Sequence, residues 1–137
     1  SIEAYLSGFF SAIPQTPVLV QDFNPGGATL SPTLIANLHT KFPNFKYVKL
    51  EEPLCAPKFE AIIKQTDGKV GVLEGWGGLY MLELIPVGIC GIMPGLGVSD
   101  ILNKVFKARS TGNHALAFEI FEKIMPQIFF SLQNMEL

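Results

Sequence analysis

Four times along this chain a short apolar run closes in a turn and gives way to a helical segment, and this alternation restricts the fold more than any other feature. The first run is Val18-Leu19-Val20-Gln21-Asp22, introduced by Pro17 and closed by Asn24-Pro25-Gly26-Gly27. Ser31 then supplies a helix N-cap with Pro32 at the first helical position, and Leu34, Ile35 and Leu38 form an apolar stripe that stops before Pro43. Phe45-Lys46-Tyr47-Val48-Lys49-Leu50-Glu51-Glu52 is the second run, followed by a helix over 57–64 that Gly68 ends. A third strand over 70–74 closes in Gly75, Gly77 and Gly78, with a helix over 79–85 behind it. The fourth strand, over 88–93, is rich in glycine, and helices over 99–107 and 114–130 flank the Thr111-Gly112-Asn113 break. Parallel strands need crossover connections, and apolar strands separated by helices therefore imply a parallel sheet with helices laid over it.

The polar residues gather at the C-terminal ends of these strands: Asp22, Lys49 with Glu51, Glu74, and Met93-Pro94. Barrel enzymes of the (β/α)8 type carry their sites at that end. A complete barrel takes about 250 residues, and this chain has 137, so about half of one is expected. Residues 1–12 then read as the end of a helix preceding the first strand, and 1–137 as one partial barrel domain.

Charge and motif content remove several functions. Ten Lys and Arg against twelve Asp and Glu leave a net charge of −2, with no basic surplus to track phosphates, so nucleic acid is not an expected partner. Cys55 and Cys90 lie far apart without ligand spacing and read as reduced thiols, which points to the cytoplasm. No cationic leader precedes Phe10 and no apolar run reaches about 18 residues, so neither a signal peptide nor a membrane span is expected. His39 and His114 lack a second ligand at suitable spacing, and no metal is expected. Gly75-Trp76-Gly77-Gly78 has no Lys-Ser/Thr continuation and reads as a tight strand-to-helix turn rather than a phosphate cradle. Phe118, Phe121, Phe129 and Phe130 have the spacing of a helix face, in a core or at an interface.

Lys49 is the leading chemical candidate. Strand alternation puts it on one face with Phe45, Tyr47 and Glu51. Withdrawal from water disfavours a charged ammonium, and a neutral amine can attack a carbonyl to form a Schiff base. Strand lysines also commonly reach solvent. Glu51 is either a partner for the ammonium and for proton transfer, or an end-of-strand surface carboxylate.

From Pro17 to about Leu137 these features together resemble the second half of the dihydrodipicolinate synthase and N-acetylneuraminate lyase family, class I aldolases built on a TIM (β/α)8 barrel. Asp22-Phe23-Asn24-Pro25 sits where that family has Tyr-Asn-x-Pro, and Tyr47-Val48-Lys49-Leu50-Glu51 resembles its Schiff-base strand. Glu74-Gly75 resembles the Ser/Glu-Gly pair closing the next strand, and Gly88-Ile89-Cys90-Gly91-Ile92-Met93 the Gly-x-x-Gly strand at the end of the barrel. Gly112-Asn113-His114-Ala115, followed by Pro126, is similar to the family's tail. The fold implied is α/β, the second half of the barrel, with four parallel strands and flanking helices.

The resemblance implies that Lys49 condenses with pyruvate or another 2-oxo acid, with no metal or organic cofactor. It implies that Gly75 and Met93 shape the substrate pocket. The family's proton-shuttling tyrosine falls at Asp22, which cannot copy a phenol, although a carboxylate can act as acid or base. The arginine of dihydrodipicolinate synthase proper falls near Gly27, which speaks against that synthesis itself. The hydroxyl-rich turn that holds the 2-oxo acid carboxylate belongs to the first half of the barrel and has no counterpart here. The expectation is a fragment of a Schiff-base lyase or aldolase, inactive in isolation. Its exposed sheet edges and inner face favour pairing with the missing barrel half or a homo-oligomer. A non-catalytic half-barrel assembly or binding module is the alternative. Retro-aldol cleavage, aldol condensation and dehydration of a 2-keto-3-deoxy sugar acid all pass through the same iminium, so the residues leave the substrate open.

Overall fold

The computed structural model describes residues 1–23 and 29–133; the turn Asn24-Pro25-Gly26-Gly27, including the position of the family arginine, lies outside the described residues. In chain order the elements are α1 (Ile2–Ala12), β1 (Val18–Asp22), α2 (Pro32–Lys41), β2 (Phe45–Leu50), α3 (Ala56–Gln65), β3 (Gly71–Glu74), α4 (Met81–Leu84), β4 (Gly91–Ile92), α5 (Ser99–Ser110) and α6 (His114–Leu132). The strands hydrogen-bond in sequence order, β1-β2-β3-β4. The fold is therefore the α/β arrangement expected, four parallel strands with flanking helices, as in half of a (β/α)8 barrel. Two elements are shorter than the sequence suggested. Gly88 has φ +105°, so the chain turns there instead of extending, and Pro94 limits β4 at its other end. Positive φ at Gly77 and Gly78 delays the start of α4.

The chain divides into two compact units, Ser1–Leu73 and Glu74–Leu137. In the first, Phe10 of α1 stacks on Phe45 with ring centroids 5.0 Å apart and tilts against Phe42 at 5.6 Å. Full burial of such a ring contributes roughly 1.5–3 kcal/mol. The Asn44 amide donates to the carbonyls of Phe10 and Ile13, both at 3.1 Å, and so holds the end of α1 against the start of β2. Ser31 caps α2 as its sequence indicates, its hydroxyl accepting from the Leu34 N–H at 3.1 Å. Ile35 and Leu38 of α2, Phe59 and Ile62 of α3, and Val48, Leu50 and Val72 of the strands complete this core.

One irregularity in the first unit changes which side chains share a face. Val18 pairs with Phe45 but Leu19 pairs with Tyr47, so Lys46 is an extra residue in β2. The bulge inverts the alternation at that point. Phe45 is fully buried with Val48 and Leu50, whereas Tyr47 is 44% exposed. Phe45 thus does not share the face of Lys49, contrary to the alternation read from the sequence.

In the second unit the core is Met81, Leu102, Val105, Ala108, Ala117, Phe121, Ile124 and Ile128. The α5–α6 turn uses Gly112 at φ +82° and an Asn113 cap whose side-chain oxygen accepts from the Leu116 N–H at 3.3 Å. Arg109 donates to the Leu82 carbonyl at 3.0 Å. The aromatic set of α6 splits: Phe121 is buried, and Phe118, Phe129 and Phe130 are exposed. Among the described residues no helix is long and apolar enough to cross a membrane.

Candidate active site

At the C-terminal end of β2 the Lys49 amine and the Glu51 carboxylate form an ion pair, with side chains 18% and 9% exposed. Alternation after the bulge puts both on one face. Gln21 lies opposite Lys49 in the β1–β2 register. Its side-chain amide donates to Glu51 Oε1 at 2.7 Å, the oxygen that meets Lys49. The Glu51 N–H donates to the Asp22 carbonyl at 3.1 Å, so the backbone ladder continues past β2 and fixes the Glu51 main chain.

Asp22 does not join this group. Its register partner is Leu50, so its side chain leaves β1 on the face opposite Gln21 and Lys49. There it is 6% exposed and pairs with Lys58 Nζ at 2.8 Å. The Leu30 N–H donates to both of its oxygens, at 3.1 and 3.2 Å. Lys58, from the first turn of α3, also pairs with Glu52 at 2.7 Å, and the Thr29 hydroxyl donates to the other Glu52 oxygen at 3.3 Å. A part-buried ammonium between two carboxylates is a compensated charge with a structural role. Asp22, read from the sequence as an acid or base near Lys49, is placed by this geometry in the structural cluster. Lys58, Glu52 and Gln21 escaped the sequence reading. Only Gln21 left a signal, being the residue of β1 that alternation separates from Asp22.

In the second unit Glu74 is fully buried. Its carboxylate accepts from the backbone N–H of Trp76 at 3.0 Å and of Gly78 at 2.7 Å, which fastens the glycine turn. Gly75 sits within that turn. The Met93 N–H donates to the Glu74 carbonyl at 2.9 Å, so Gly75 and Met93 both flank Glu74 at the ends of β3 and β4. Although Cys90 is exposed as a residue, desolvation pushes its thiol above the ordinary pKa, with a backbone hydrogen bond acting the other way. Among the described residues no group of three or more His, Cys, Asp or Glu side chains is placed to hold a metal ion.

The chain thus combines the fold of a parallel half barrel with an ammonium–carboxylate pair at the C-terminal end of a strand. No family model matches the sequence. The chain is 26% identical over 130 residues to the L-2-keto-3-deoxyarabonate dehydratase of Azospirillum brasilense, covering 92% of this chain and 42% of that protein. Its backbone is similar to dihydrodipicolinate synthase from Rhodopseudomonas palustris, with TM-score 0.83 and 22% identity over 96% of this chain and 47% of that one. The synthase from Aquifex aeolicus matches with the same TM-score and 15% identity, over 99% and 48%. The chain thus resembles the dihydrodipicolinate synthase family over a little under half the length of the relatives it matches, a coverage that agrees with the second half of the barrel.

Proposed function

We propose that this chain is part of a Schiff-base-forming lyase acting on a 2-oxo acid, with Lys49 as the nucleophile and Glu51 as its proton-transfer partner. The observation that carries the reading is the Lys49–Glu51 ion pair on one face at the C-terminal end of β2. Glu51 takes a proton from the Lys49 ammonium, and the freed amine adds to the C2 carbonyl to give a carbinolamine. Its hydroxyl then departs as water with a proton returned by Glu51, leaving an iminium. The iminium is an electron sink, and this chemistry needs no metal or organic cofactor. Similarity to a 2-keto-3-deoxy sugar acid dehydratase favours elimination of water over carbon–carbon cleavage. The iminium would lose a C3 proton to the Glu51 carboxylate to become an enamine, and that proton, returned to the C4 hydroxyl, would let it leave as water.

Gly75 and Met93 keep the pocket-shaping role that the resemblance gives them, whereas Asp22 is assigned to structure. Leu19 and Tyr47, both exposed on the Lys49 face, support a partner there: the other half of a barrel or a second copy of this chain. The same exposure supports the second reading, a non-catalytic assembly module. The absence of disulfide or metal-ligand spacing between Cys55 and Cys90 in the sequence supports a reducing compartment such as the cytoplasm. Incubation with pyruvate and borohydride, followed by peptide mass mapping, tests the reading. A reduced adduct on Lys49 that vanishes in Lys49→Ala is expected. Absence of an adduct both in this chain and in a longer parent protein would refute the lyase and leave the assembly module.

A further inference from the structure

We infer that Gln21 is a positioning residue that fixes the Glu51 carboxylate against the Lys49 amine, an inference that rests on the Schiff-base reading above. Three features of the geometry carry it. First, the register of the parallel pair places Gln21 opposite Lys49, so the two side chains leave neighbouring strands on the same face. Second, the Gln21 amide donates at 2.7 Å to Glu51 Oε1, the same oxygen that faces the ammonium. Third, the Glu51 main chain is already held by its N–H bond to the Asp22 carbonyl, which leaves side-chain rotation as its remaining freedom.

That freedom matters for the chemistry. The terminal torsion of a glutamate is broad, so an unassisted carboxylate exchanges its two oxygens readily. A second donor on Oε1, coming from the adjacent strand, selects one oxygen and one orientation. The donor is a neutral amide with no proton to release, so it orients the carboxylate without competing with Lys49 for the proton that must move. Side-chain length is part of the fit, because an asparagine at this site would stop about 1.5 Å short. Gln21 itself is exposed, so the bond does little for the core. Proton transfer from Lys49 to Glu51, and its return to the departing carbinolamine hydroxyl, both use the oxygen that Gln21 holds.

A double-mutant cycle on trapping kinetics tests this. The rate of the borohydride-reduced pyruvate adduct on Lys49 is measured by mass spectrometry for wild type, Gln21→Met, Glu51→Gln and the double variant, in the form of the protein that traps pyruvate. Gln21→Met should slow trapping about tenfold in the wild-type background and not at all in the Glu51→Gln background, because its effect passes through Glu51. Gln21→Asn should match Gln21→Met, and neither should move the melting temperature. Equal slowing in both backgrounds, or no slowing in either, overturns the role of Gln21 while leaving Lys49 as the nucleophile. If wild type itself forms no adduct, the Schiff-base reading fails and the inference falls with it.

Discussion

Asp22→Ala separates structure from catalysis at the end of β1. The substitution removes the carboxylate that accepts from the Leu30 N–H, and Leu30 is buried. An orphaned buried donor costs about 1–3 kcal/mol. It also removes one of two carboxylates from Lys58. Loss of a sole partner from a buried ion pair costs about 3–5 kcal/mol, but Glu52 remains at 2.7 Å and is itself partly exposed, so about 1–2 kcal/mol is the appropriate share. Both losses concern one carboxylate and overlap, which gives about 3 kcal/mol in all. Asp22→Asn retains an oxygen for Leu30 and should cost about half as much. Urea unfolding at neutral pH reads these values as shifts of the midpoint at constant slope. A domain stable by about 5–15 kcal/mol stays folded in both variants, so Lys49 trapping can be measured on the same samples. We expect trapping to survive in Asp22→Asn and in the folded fraction of Asp22→Ala, with Lys49→Ala losing trapping at the smaller stability cost of about 1–2 kcal/mol, since Gln21 still donates to Glu51. If Asp22→Ala unfolds with wild-type stability and yet abolishes trapping, the face assignment is wrong and Asp22 is the acid or base.

Adjacent glycines in the second unit provide an internal control on packing. Gly77→Ala meets nothing within 4 Å but must hold φ +66°, and should cost about 1 kcal/mol. Gly78→Ala must hold φ +93° and also sets a methyl 2.8 Å from the Leu102 side chain, which is fully buried, so overpacking adds about 1–3 kcal/mol. Equal costs in urea unfolding would show that Leu102 moves aside freely. Ser31→Ala removes the cap on α2 and should lower stability by about 1 kcal/mol in the same assay, and an unchanged midpoint would show that the observed bond contributes nothing. Desolvation raises the pKa of the Cys90 thiol while leaving the residue accessible, so less of it is thiolate at any given pH and its alkylation by iodoacetamide should rise at higher pH in the folded chain than in urea. A folded-state midpoint at or below the unfolded one would contradict that desolvation.

Much of the fold was legible because its signals are local. The β1 bounds, the Ser31 cap and the glycine turn after Glu74 all follow from residues within a few positions of one another. The faces were harder to read, since a face depends on strand register, which local sequence encodes weakly. Lys46 looks like an ordinary strand residue, yet as a bulge it sends Phe45 into the core and leaves Tyr47 beside Lys49. Lys58 pairs with a carboxylate 36 positions away, which no periodicity could reveal. Asp22 shows how these limits combine. Motif similarity assigns it the chain position of a proton shuttle, but parallel pairing with β2 gives the Lys49 face to Gln21 and directs Asp22 to Lys58. Proton transfer favours a shared face, so a side chain with the right chemistry one residue away is turned toward Lys58, and a neutral amide with no acid–base function is the β1 group that touches Glu51.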